Sequence, residues 1–164
     1  MATIGAHGIS ARLPDGFEGR IFVRPAAIGH SYPVAQFATF PLPDDVGDFG
    51  SGAVSVMGPG DVFATLFEYG PESLGTALFA RQGRPSTLGV ADFSPTVLRR
   101  GLPGQSGTQW FFTEGGRPFS FYAVLGSHVL RASLVPRVNT LLGSLGVSPA
   151  APDASSAAGR PLWN

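Results

Sequence analysis

Ser31, Asp92 and His128 are the residues of this chain whose types and order come nearest to a nucleophilic site. Ser31 lies in Gly29-His30-Ser31-Tyr32-Pro33, which resembles the G-x-S-x-G turn of a hydrolase serine with its last glycine replaced by proline. An acid and then a histidine follow in the hydrolase order. The setting argues against that chemistry. The hydrolase fold places several strands before its serine, whereas only 30 residues precede Ser31 here, and no helical pattern follows it. The expectation is a loop with a chance match.

The remaining polar groups give no stronger set. His7, His30 and His128 are far apart in sequence and lack the i, i+4 pairing of a helical metal site. Asp44, Asp45 and Asp48 crowd one loop, but their spacing is not that of an EF-hand. Gly101, Gly104 and Gly107 could turn backbone N–H groups toward an anion, yet neither a lysine nor a strand-to-helix setting accompanies them. Glu68, at the end of an apolar run, could serve as a general base. No second carboxylate is spaced to pair with it, and one of the arginines is its expected partner. The sequence therefore predicts no catalytic residue, no cofactor and no metal site.

Composition narrows the function classes further. There are no cysteines, which excludes disulfides, thiolate chemistry and cysteine-ligated zinc. All 11 basic residues are arginines, so lysine Schiff bases and the P-loop lysine are absent as well. The formal net charge is zero with no basic cluster, which argues against nucleic-acid binding. Charged residues make up only 13% of the chain while phenylalanine contributes 13 residues, a balance at risk of self-association that is met either by a surface of small serine, glycine and threonine residues or by a partner covering part of it. No apolar run reaches the ~18 residues of a membrane span. The first ten residues carry neither the basic nor the apolar region of a signal peptide, so the expected location is the cytoplasm.

The elements that would position these residues follow from periodicity. Ile9, Ala11 and Leu13 alternate with polar residues, Pro14-Asp15-Gly16 forms a turn, and residues 20–24 read as the partner strand of a hairpin. Residues 34–40 and 62–69 read as strands, the second too apolar to be half solvated and so central. Residues 41–52 are a loop by composition, and 53–57 could be either a helical turn or a strand. Short helical turns are expected within 71–79 and from Ser94-Pro95 onward. Residues 108–113 and 118–125 are two further strands, joined at Glu114-Gly115-Gly116-Arg117. Leu134, Val138, Leu141, Leu142 and Leu145 then repeat as one helical face. Pro136 is best tolerated in a first turn, which predicts a helix starting after Ser133 as N-cap and ending at Gly146 in the left-handed C′ position. The sum is an α+β domain over residues 1–147: an antiparallel sheet of about five to six strands covered by a C-terminal amphipathic helix.

With its opening strand, its Pro14-x-Gly16-Phe17 turn, its antiparallel sheet and its closing strand–helix unit, the stretch 9–147 resembles the Mog1/PsbP-like superfamily, especially its small actinobacterial members. That resemblance implies a mainly non-catalytic accessory or binding protein. The chain differs in having Phe17 where tryptophan is common, and in lacking a lipobox cysteine.

Residues 148–164 form an Ala/Ser/Pro-rich tail that ends in Arg160-Pro161-Leu162-Trp163-Asn164. Arginine and tryptophan are enriched at interface hot spots, so Arg160, Leu162 and Trp163 are the candidate partner-binding residues. The expected function is an accessory or structural subunit acting through protein–protein contacts or self-assembly, in part through this tail. The alternative is a small-molecule-binding protein with a pocket between sheet and helix.

Overall fold

The computed structural model describes residues 2–25, 31–98 and 102–150. Two antiparallel sheets and one helix make up an α+β architecture. The larger sheet contains β3 (Glu18–Phe22), β4 (Val34–Ala38), β5 (Val62–Glu68), β6 (Ser106–Glu114) and β7 (Arg117–Leu125) in the order β3-β4-β5-β7-β6. The smaller contains β1 (Thr3–Ala6), β2 (Ile9–Arg12) and β8 (Leu145–Val147) in the order β1-β2-β8. The single α-helix, α1, spans Arg131–Ser144 and leads directly into β8.

The two-residue alternation of a strand gives the large sheet two unlike faces. On one, Phe37, Ala64, Leu66, Phe119, Phe121 and Ala123 meet Ile9, Ala11 and Leu13 of the β2 region and the buried helix residues Leu134, Val135, Val138, Leu141 and Leu142 in a single core. The opposite face is packed too. Val46, Ala53 and Val54 lie on Phe63, Tyr122 and Val124. Phe49 stacks on Phe67 at 5.3 Å, and Tyr69, Phe79 and Phe111 continue the aromatic cluster. A polar row crosses this second face: Arg20, Gln36, Thr65, Tyr122 and Gln109 are register neighbours on β3, β4, β5, β7 and β6. Arg20 Nε and Nη2 donate to Gln36 Oε1 at 3.1 and 3.0 Å, and Gln36 Nε2 donates to the Gly47 carbonyl at 3.0 Å. That chain of bonds clips the loop over residues 41–57 to the sheet; residues 53–56 within it form turns and no residue of 53–57 is in a strand, which resolves the ambiguity of that segment.

Several expectations are corrected. Residues 9–24 do not form a hairpin. The Pro14–Phe17 turn exists, with the Phe17 N–H donating to the Pro14 carbonyl at 3.0 Å, but it passes the chain from one sheet to the other. The five-to-six-stranded sheet is instead a five-stranded and a three-stranded one, because β1 and β8 were too short to stand out by alternation. The helix starts at Arg131, two residues before Ser133. Leu130 is its N-cap, held by Ser127 Oγ accepting the Leu130 N–H at 3.3 Å; Arg131 Nε donates to the His128 carbonyl at 2.9 Å. Ser133 is no cap, since its hydroxyl donates back to the Leu130 carbonyl at 2.9 Å. Pro136 thus lies inside the helix and removes the bond to the Ala132 carbonyl, a loss eased because Ala132 is exposed to water. Gly146 is not left-handed; Leu145 turns extended and the chain enters β8 beside β2. The β6–β7 hairpin forms as expected, with Gly115 and Gly116 at φ 60° and 72°, the pair of left-handed residues that a tight hairpin turn requires.

Candidate functional site

The residues singled out as a hydrolase set are not brought together. Ser31 lies just before β4, at the end of the sheet where the Glu68 N–H donates to the Pro33 carbonyl. His128 lies just after β7, at the end where the Gly126 N–H donates to the Asp61 carbonyl. Seven residues of β5 separate those ends, roughly 20 Å at ~3.3 Å per residue. Asp92 accepts the Gly89 N–H at 2.7 Å in a 3-10 turn, Val90–Asp92. His128 Nδ1 meets Ser106 Oγ at 2.9 Å, but Ser106 is fully buried, so this serine–histidine pair is a packing contact out of reach of substrate.

Glu68 finds the expected arginine. Its carboxylate takes Arg117 Nε at 3.1 Å and Nη2 at 2.6 Å, with both side chains almost wholly buried. Arg117 also donates to the His7, Gly8 and Ser148 carbonyls at 3.0, 3.1 and 3.1 Å. This guanidinium joins β5, β7, the β1–β2 turn and the end of β8. Asp48 pairs with Arg24 at 2.6 Å, and among the described residues no group of three His, Asp or Glu is placed to hold a metal ion. His30, Gly101, and the tail residues Arg160, Leu162 and Trp163 lie outside the described residues. The tail's first residues lie on their own domain: the Ser148 N–H donates to the Gly8 carbonyl and the Ala150 N–H to the Gly115 carbonyl, each at 2.8 Å.

Two surface features stand apart from this packing. One is a groove of about 520 Å³ between α1 and the turn after β2, lined by Arg12, Phe17, Arg137, Thr140, Gly143 and Ser144. Arg137 lies over the Phe17 ring at 5.6 Å. The other is an apolar end of the molecule around the start of α1. Val129, 90% exposed, and Leu130 lie beside the turns carrying Val90, Val97 and Leu102. Backbone contacts hold these segments together. The His128 N–H donates to the Gly104 carbonyl at 2.7 Å, and Arg131 Nη1 donates to the Val90 carbonyl at 3.3 Å. Five of the nine exposed large hydrophobic residues described are carried by these joined segments.

No protein-family model, curated protein or solved structure matches this chain. What the molecule does must be read from its own surface.

Neither feature has a local signal in the sequence. Arg12 and Arg137 come from opposite ends of the chain, and only the fold places them on one groove. The apolar end is built of isolated aliphatic residues in turns, where no periodicity marks them. The phenylalanines, which the composition flagged as candidate surface groups, are not among the exposed large hydrophobics described.

Proposed function

We propose that this protein is a non-catalytic accessory subunit that works by contact with another protein, through the apolar end formed by Val90, Val97, Leu102, Val129 and Leu130. The observation that carries the reading is that the segments bearing these exposed side chains are joined to one another by hydrogen bonds. Exposed aliphatic residues scattered singly need no explanation, whereas a contiguous group is typical of an interaction surface. The end has a firm base, since Arg131 and His128 fasten the helix start to the neighbouring turns. Burial there costs little reordering, which favours tight association. A Mog1/PsbP-like relationship, to a family of mainly accessory proteins, is part of the proposal and rests on the order of antiparallel strands and C-terminal helix alone. The tail after Ala150, with Arg160, Leu162 and Trp163, is proposed as a second, tethered contact.

The test compares three proteins by affinity capture and native mass measurement: the intact chain, the double variant Val129→Ser/Leu102→Ser, and a chain truncated after Ala150. The intact chain should hold a defined partner or a second copy, and the double variant should lose it while melting at the same temperature. Identical capture and mass for intact chain and double variant would refute the apolar end as the working surface. Identical results for the truncated chain would remove the tail from the proposal.

A further inference from the structure

We infer that the groove between α1 and the Pro14–Phe17 turn is a binding site for a small aromatic monoanion, a flat ring system carrying one carboxylate. The argument begins with the arginines. Arg24, Arg84 and Arg117 each pair with a carboxylate, Arg20 is held by Gln36, and Arg131 is spent on carbonyls. Arg12 and Arg137 have no acidic partner within ion-pair distance among the described residues, and both line this groove. Arg137 makes one long contact, 3.5 Å, to the Gly60 carbonyl. A guanidinium offers a planar fork of donors that matches a carboxylate, and two of them facing one cleft form an anion site.

The ring preference comes from Phe17. It is partly buried against the core and lies under Arg137, so the groove presents an aromatic wall beside its positive charge. A flat apolar body can stack there while its carboxylate reaches the arginines. The volume, about 520 Å³, is in the usual range of small-molecule pockets. Gly143 supplies the room. A glycine inside a helix is unfavourable by about 1 kcal/mol relative to alanine, and close packing is the usual compensation. Here a Cβ would meet nothing within 4 Å, so no neighbour requires the glycine; what its absence of a side chain leaves open is the groove. Asp15 sets the charge. As the one carboxylate on the rim it leaves the site a net single positive charge, which disfavours a dianion such as phosphate and offers an acceptor to any N–H on the ligand.

The experiment is a titration of the full chain with 2-naphthoate, followed by backbone amide NMR shifts and calorimetry, beside parallel titrations with 2-naphthamide and inorganic phosphate. Naphthoate should shift the amides of Gly16, Phe17, Thr140 and Gly143 saturably. Arg12→Gln and Arg137→Gln should each weaken binding about tenfold, the effect of one charge-assisted hydrogen bond. Gly143→Leu should abolish it with the fold intact by circular dichroism. No saturable shift, or equal binding of the neutral amide, overturns the site. Phosphate binding as tightly as naphthoate overturns the aromatic assignment. Because the groove and the apolar end share no residue, loss of partner capture in Val129→Ser/Leu102→Ser leaves this result untouched, and the two readings fail separately.

Discussion

Replacing Arg117 with alanine should be among the most damaging single changes in this protein. The side chain is 10% exposed and supplies two hydrogen bonds to Glu68 and three to the carbonyls of His7, Gly8 and Ser148. Its guanidinium also lies over the Phe119 ring at 5.2 Å. Removing one member of a buried ion pair costs about 3–5 kcal/mol, because the other is left charged and unpaired. Domain stabilities are about 5–15 kcal/mol, so the change would consume a large share of the total. At roughly 2–4 °C per kcal/mol for a chain of this size, the melting temperature should fall by about 6–20 °C. Urea unfolding followed by circular dichroism measures the loss. Glu68→Gln and the double variant complete a cycle, in which the second change should cost about 1–3 kcal/mol less once the first has been made. A cost for Arg117→Ala under about 1 kcal/mol, or strict additivity in the cycle, would refute the view that this pair is a buried hub.

Four further substitutions test the packing. Gly126→Ala should destabilise by several kcal/mol or prevent folding, since a Cβ there would overlap the Gly58 carbonyl oxygen; Gly143→Ala, with open space around the new atom, should stabilise by up to about 1 kcal/mol in the same denaturation assay. Thr65→Val should be neutral or stabilising by about 1 kcal/mol, because the buried Thr65 hydroxyl has no hydrogen-bond partner among the described residues and its desolvation is uncompensated. Conversely, His128→Ala should cost about 1–3 kcal/mol by leaving the buried Ser106 hydroxyl without its partner.

What the sequence revealed was decided by range. The β6–β7 hairpin was legible because both its alternation and its Gly115-Gly116 turn are local signals. The apolar run of β5 announced a central strand, and Leu134, Val138, Leu141, Leu142 and Leu145 are all buried as their spacing required. The hairpin over residues 9–24 failed for the opposite reason. A turn signal says that the chain reverses, not which sheet it enters, and β2 finds its partners in β1 and in β8 at the far end of the chain. The helix start failed because a preference about Pro136 was weighed alone. Tertiary bonds from Arg131 to the Val90 and Phe93 carbonyls begin the helix earlier and outweigh the one backbone bond that proline removes. The arginine groove had no sequence signal, since its two cations share no local pattern.

The outer edge of β6 has a consequence for the protein at high concentration. An unprotected edge strand is a template on which another chain can add, and a sequence with 13% charged residues has little electrostatic repulsion to prevent it. Here the chain occupies both ends of that edge itself. Ser94 exchanges both backbone bonds with Gly107 at 2.9 Å, while Thr113 donates to Arg81 and accepts from Gly83 at 2.8 Å. Arg81 adds its guanidinium over Trp110 at 5.2 Å. An invading strand could register along no more than the short middle of β6, too few residues to seed a growing fibril. The irregular stretch from Arg81 to Ser94 thus acts as a guard rail against polymerisation.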